Sequence, residues 1–313
     1  MLALLNLAAC IEKTPITKTT KPQEISKTSL ILLGTLQDAG APHIGCKKKC
    51  CSDLFKTPDP LKQVISLGLY DADTRKKYLF EATPDFPKQM DALKKFGSFS
   101  EKKVPDGIFL THAHIGHYTG LMYLGKEALD SKSTSVFTLP KMTNYLTNNG
   151  PWSQLVTRKN IVLLEIDPLK SVSLSSSLEV IPFLVPHRDE YSETAGYRII
   201  GPNKQAIFIP DIDKWGKWET NIIEEIASVD YAFLDATFFS GDEINSRDIS
   251  EIPHPFIIES MDLFKNMSEA NKNKVIFIHF NHTNPAIDLH SEAAKKIRDA
   301  GFNIGSIYDT FEL

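Results

Sequence analysis

Cysteine is scarce: the chain has four in 313 residues. That is too few to staple a chain of this length, so a disulfide scaffold is excluded and a large core must stand on burial. There is no apolar run of about 20 residues, which excludes a bilayer-spanning helix. Neither charge sign dominates. The 35 Lys+Arg against 39 Asp+Glu leave a formal net charge of −4, and the signs are interspersed, so no basic face for nucleic acid is expected. What is present, 42% hydrophobic and 24% charged residues, is ordinary globular composition and rules out collagen-like, coiled-coil and wholly disordered chains. The length allows two domains or one large α/β unit.

Residues 1–10 form a short apolar stretch that ends Leu7-Ala8-Ala9-Cys10. This resembles a bacterial lipobox, whose cysteine is lipidated and becomes the mature N-terminus, although the basic start of a signal peptide is absent. The alternative is a buried strand or helix. Residues 11–28 are rich in Lys, Thr, Pro and Ser and bury too little to offset their ordering entropy, so they read as a flexible tether. The lipobox resemblance implies a protein of the cell envelope, held to the membrane only by lipid on Cys10; without it the protein is expected in the cytoplasm. The folded body is expected over 29–313.

Within that body, apolar runs at 29–37, 64–70 and 77–83 read as strands, the last two flanking a turn at 71–74. Helical spacing follows at 87–96, 118–129 and 141–148, with strands at 107–110, 135–138, 161–165, 171–174 and 178–182. The alternation then starts again: strands at 197–200, 206–210, 231–234 and 274–280, helices at 221–227, 255–265 and 289–300. Two halves of this kind predict sheets covered by helices on their outer faces.

The most informative segment is Thr111-His112-Ala113-His114-Ile115-Gly116-His117, which holds three of the nine histidines. Alternation beyond a strand end puts positions 112 and 114 on one side, where two imidazoles can share a metal ion. The turn resembles the His-x-His-x-Asp-His signature of the metallo-β-lactamase superfamily, with Gly116 where that family has aspartate. The resemblance implies a four-layer αββα sandwich, two mixed sheets face to face with helices outside. It also implies that His187 completes a first metal site with His112 and His114. Asp211 would bridge to a second site with His117 and His279, weakened by Gly116. Asp85 is similar to an early buried aspartate that orders such loops, and Asp235 would orient a ligand imidazole.

Segments around 186–190, 196–197, 235–238, 242–243 and 283–285 resemble the pyrroloquinoline-quinone biosynthesis protein B family. A relative that keeps the histidine turn is the cyclic phosphodiesterase of phosphonate operons. That resemblance implies that His254 assists the leaving group.

Cys46, Cys50 and Cys51 cluster in a loop with Lys47, Lys48 and Lys49, whose charges favour thiolates. They read as three ligands seeking a fourth, or as a Cys46–Cys50 disulfide. The phosphodiesterase resemblance implies a structural zinc closed by His282 in His279-Phe280-Asn281-His282, with His43 as the rival.

Three imidazoles with an open fourth position suit a catalytic ion whose bound hydroxide attacks a small phosphodiester, ester or lactone. The expected cofactors are one catalytic zinc with a weak second ion, iron or manganese being alternatives there, and one structural zinc. The expected partner is a small-molecule substrate; the sequence carries no signal of oligomeric state. Two other readings stand beside hydrolysis: a cofactor-biosynthesis protein with iron, and a binding protein whose site has degenerated at Gly116.

Overall fold

Leu30, Ile31, Leu32 and Leu33 are all fully buried, which a strand achieves only when both of its faces are covered. They belong to β1 (Ser29–Gly34) in a computed structural model that describes residues 25–98, 102–244 and 252–313. The expected leader with Cys10, and positions 11–24 of the expected tether, lie outside the described residues.

The first sheet continues with β2 (Ser66–Tyr70), β3 (Lys77–Phe80), β4 (Gly107–Phe109), β5 (Thr134–Thr138) and β6 (Ile161–Glu165). The second is built from β7 (Val172–Ser173), β8 (Glu179–Leu184), β9 (Ala195–Ile200), β10 (Gln205–Ile209), β11 (Tyr231–Asp235), β12 (Val275–Ile278) and β13 (Asn303–Ile304). A last strand, β14 (Thr310–Glu312), returns to the first sheet beside β1. The orders are β14-β1-β2-β3-β4-β5-β6 and β13-β12-β11-β10-β9-β8-β7. Each sheet is antiparallel on one side and parallel on the other.

Period-2 alternation divides each strand between two environments. Leu30 and Leu32 of β1 meet Tyr197 and Phe208 of the facing sheet, whereas Ile31 and Leu33 pack on Met90 and Leu93 of the helix Phe86–Lys95. In β10, Phe208 points inward and Ile207 and Ile209 outward, toward Ile226, Phe264 and Ile297 on three covering helices. The result is the four-layer αββα sandwich. Phe80 and Phe109 stack at 4.9 Å, and Tyr197 meets Phe80 edge-on at 5.3 Å; burying each such ring stabilises the sandwich by about 1.5–3 kcal/mol.

Several segments differ from the sequence expectation. The helix expected over 118–129 is a short helix Ile115–Tyr118 followed by a 3-10 segment Thr119–Leu124. Gly120 explains the break, because the chain there passes so close to the loop after β3 that a Cβ would lie 2.3 Å from the Thr83 carbonyl oxygen. The helix Trp152–Thr157 and the two-residue β13 had no clear local period. Among the described residues, no helix is long and apolar enough to cross a membrane.

Candidate metal centre

The candidate ligands sit past the carboxyl ends of strands, where side chains from neighbouring strands converge, except His117, which lies on the short helix Ile115–Tyr118. His112 and His114 follow β4, His187 follows β8, Asp211 follows β10, and His279 follows β12 directly. The histidine turn is pinned from several sides. Tyr197 donates its hydroxyl to the Leu110 carbonyl at 2.5 Å, Ala195 N–H donates to the Thr111 carbonyl at 3.0 Å, and Ala82 N–H to the His117 carbonyl at 2.9 Å.

His112, His114, His187 and Asp211 bring one ligand atom each to within 4.8 Å of the others. Asp211 Oδ2 lies 3.4 Å from His112 Nε2, 3.8 Å from His114 Nδ1 and 3.1 Å from His187 Nε2. It is also 3.8 Å from His117 Nε2, so this carboxylate stands between the first group and the second. His117 and His279 in turn share such a cluster with Asp38, a residue to which the sequence reading gave no role.

The opposite edge of each ring sets its tautomer. Thr111 Oγ1 donates to Glu81 Oε1 at 2.5 Å and lies 2.8 Å from His112 Nδ1, so it accepts that N–H and leaves Nε2 with its lone pair toward the centre. Thr237 repeats the relay: it donates to Asp235 Oδ1 at 2.7 Å and accepts His279 Nδ1–H at 2.9 Å. His187 Nδ1 faces Asp213 at 3.4 Å, and His114 Nε2 faces Glu190 at 3.1 Å. Glu81 and His279 have φ of +74° and +66°, a left-handed geometry that costs a non-glycine residue about 1–3 kcal/mol and clusters at functional sites.

A cation fits this arrangement. His112 Nε2, His117 Nε2 and His279 Nε2 are buried without a hydrogen-bond partner, and such a concentration of orphaned lone pairs is rare in a folded protein. Titration points the same way. Burial works against charge on His187, yet Asp211 raises it to about 9. Burial likewise opposes charge on His254, and the Asp235 and Asp211 carboxylates lift it to about 10. Asp211, despite burial, is held well below the usual carboxylate range by His187 and His254. His112, desolvated and beside His117, is pushed well below the ordinary imidazole value and is ready as a neutral ligand.

His254 Nδ1 is 2.9 Å from Asp235 Oδ2 and 3.1 Å from Asp211 Oδ1. Asp235, fully buried, also accepts Ile212 N–H at 3.2 Å. Asp85 sits differently from the expectation. It is only half-buried, accepts Val64 N–H at 3.0 Å and pairs with Lys88. The buried carboxylate that orders the histidine turn is Glu81, which contacts Thr111 and lies 3.4 Å from His117 Nδ1.

A second centre lies in the loop before β2. Cys46, Cys50, Cys51 and His282 form one cluster. The Cys46–Cys50 and Cys50–Cys51 sulfur distances are both 3.9 Å, far beyond a disulfide and close to the edge of about 3.8 Å that Zn–S bonds of about 2.3 Å subtend in a tetrahedron. His43 is not in the cluster; its ring stacks on His282 at 4.3 Å. Burial and the charges of His43 and Lys48 push His282 down to about 4, which keeps it neutral. The expected thiolate-favouring effect of the lysines is outweighed at Cys50, which burial and its neighbouring thiols push up to about 12.

A family model described as "Beta-lactamase superfamily domain" matches residues 76–280. The chain belongs to the β-lactamase superfamily. Within it, the chain is similar to coenzyme PQQ synthesis protein B of Gluconobacter oxydans, 25% identical over 303 residues, covering 91% of this chain and 98% of the relative. Zn²⁺-bound PqqB from Methylobacterium extorquens superposes with a TM-score of 0.75 at 17% identity, over 91% of this chain and all of that one. A diphosphatase from the PhnP family superposes with a TM-score of 0.63 at 22% identity, over 92% and 97%. The superfamily fold thus spans both branches that the sequence motifs resemble.

The residues that sequence reading missed are Asp38, Glu81, Thr111 and Thr237. Glu81 lies five residues from a proline-flanked helix start and carries no motif; Thr111 adjoins the histidine turn and could have been flagged as a partner for His112 Nδ1.

Proposed function

We propose that the protein is a metal-dependent hydrolase of small phosphodiesters, with esters and lactones as related substrates. The observation that carries this reading is the convergence of His112 and His114 from the end of β4 and His187 from the end of β8 on Asp211 at the end of β10. His112 and His187 are buried, while the His114 side chain is 15% exposed, so the cluster has a wet edge where a substrate can enter. These residues would hold zinc, iron or manganese, which would supply Lewis-acid polarisation of a phosphoryl or carbonyl oxygen and a bound water of lowered pKa.

The chain's own residues do the rest. Asp211 joins the two ligand groups and accepts from His254. His254 keeps its Nδ1 edge on Asp235 and Asp211 and, being charged at neutral pH, offers the Nε2 proton to a leaving oxygen. Cys46, Cys50, Cys51 and His282 would hold a structural zinc, which would brace the loop leading to β2.

The test is hydrolysis of bis(p-nitrophenyl) phosphate, p-nitrophenyl esters and lactones by the zinc-, manganese- or iron-loaded protein. His114→Ala should lower the rate at least about 100-fold, in the range set by losing a charge-stabilising group. Unchanged hydrolysis in that variant, or none by the loaded wild type on any of these substrates, overturns the reading.

A second reading is a role in quinone-cofactor synthesis, supported by the similarity to coenzyme PQQ synthesis protein B along nearly the whole chain. Imidazoles also suit iron. Native protein that carries iron and consumes oxygen supports this reading; zinc with hydrolysis supports the first. In either case Cys10 is proposed as a lipid anchor ahead of a folded body over 29–313. Partition of the protein into the membrane fraction and the mass of an acylated N-terminal peptide check it.

A further inference from the structure

Gly116 takes the place at which the superfamily turn has aspartate, and on sequence grounds the second metal site is one carboxylate short. The structure shows what fills that space. A Cβ built on Gly116 would lie 1.8 Å from Asp38 Cβ and 2.5 Å from Asp38 Cα, so no side chain fits at 116 while Asp38 is there. Asp38 in turn brings its carboxylate within 4.8 Å of the ligand nitrogens of His117 and His279.

The chain segment that delivers Asp38 is held at both ends. After β1, Leu36 bridges to Val64 on one side and to Phe280 on the other. Gln37 N–H donates to the Phe280 carbonyl and Phe280 N–H to the Thr35 carbonyl, both at 2.8 Å. This clamps the segment directly beside His279. Gly40 N–H then closes a turn on the Gln37 carbonyl at 2.8 Å, with Gly40 at φ +68°, which turns the chain away and leaves Asp38 at the bend. Beside it, His117 Nε2 and His279 Nε2 are buried without a hydrogen-bond partner, while His117 Nδ1 lies 3.4 Å from Glu81 Oε1.

We infer that Asp38 is the carboxylate ligand of the second metal site, supplied from the β1 end in place of the missing aspartate at 116. The site is then complete: Asp38, His117 and His279, with Asp211 shared between the two ions. The ligand has moved to a different strand end while the space it occupies is kept. This inference rests on the metal centre proposed above.

The experiment is metal content after loading with Zn²⁺ and gel filtration, together with Co²⁺ titration followed by d–d absorption. Wild type should hold two ions in the centre and one at the cysteines. Asp38→Asn, nearly identical in shape, should lose one ion while the cysteine thiols stay protected from a thiol reagent, which assigns the loss to the centre. Gly116→Asp alone should lower the melting temperature through collision with Asp38. Full metal content with unchanged Co²⁺ affinity in Asp38→Asn overturns the inference, as does a wild-type centre that holds a single ion which Asp38→Asn keeps. Activity separates this from the hydrolase reading. Loss of an ion in Asp38→Asn with no hydrolysis even by wild type refutes only the latter; hydrolysis that depends on His114 but not on Asp38, with both ions kept, refutes only the former.

Discussion

The Thr111 hydroxyl oxygen lies 2.8 Å from His112 Nδ1. Because the same hydroxyl donates to Glu81, it can only accept from the ring, and the imidazole is locked with Nε2 toward Asp211. Thr111→Val keeps the shape and removes the relay. We expect metal affinity at the centre to fall about 10–100-fold with the fold intact, measured by competition with a chromophoric chelator; unaltered affinity would contradict the relay.

Metal binding should release protons. In the metal-free centre His187 is raised to about 9, so at pH 7 it is charged and must lose its proton to ligate. Affinity should therefore rise with pH up to about 9 and level off above it. Calorimetric titration at pH 7 in two buffers of different ionisation enthalpy should report at least one proton released per centre filled; none released would show that His187 is not a ligand.

His254→Gln separates acid catalysis from metal binding. If Nε2 protonates the leaving oxygen, turnover of a diester with an alkoxide leaving group should fall about 10²–10⁴-fold, while p-nitrophenyl diesters, whose leaving group needs no proton, lose far less. Metal content should stay at the wild-type value. Equal losses on both substrates would assign His254 to positioning Asp211 instead.

At the cysteine centre, Cys50→Ser or His282→Ala should each remove one metal ion per chain and lower the melting temperature, by about 2–4 °C for each kcal/mol lost in a chain of this size. His43→Ala should keep the ion, since the His43 ring stacks on His282 and the substitution keeps the backbone N–H that donates to Cys51 Sγ. A loss of metal in His43→Ala with retention in His282→Ala would reverse the ligand assignment.

Strand ends were legible because a buried parallel strand is a short apolar run, and a histidine or aspartate immediately after it stands out, as His279 does after Val275–Ile278. Glu81 was not legible in this way. It follows β3 as directly, yet nothing local separates it from Asp85 four residues on, and burial alone tells the two apart. The short helix at 115–118 escaped the periodicity because Gly120 serves a close approach to another loop, a demand that helix spacing does not record.

By itself the chain's order of residues determined the alternation of strands and helices, the two-sheet class and most of the imidazoles at the centre, because hydrophobic period and chemically rare residue types are local properties. Only the tertiary structure decided that His282 faces the three thiols and that Asp38 fills the space above Gly116. Those are relations between segments far apart in sequence, set by how the chain just after β1 is hydrogen-bonded to the chain just after β12 at Phe280, and a ligand that changes strand leaves its old position marked only by a glycine.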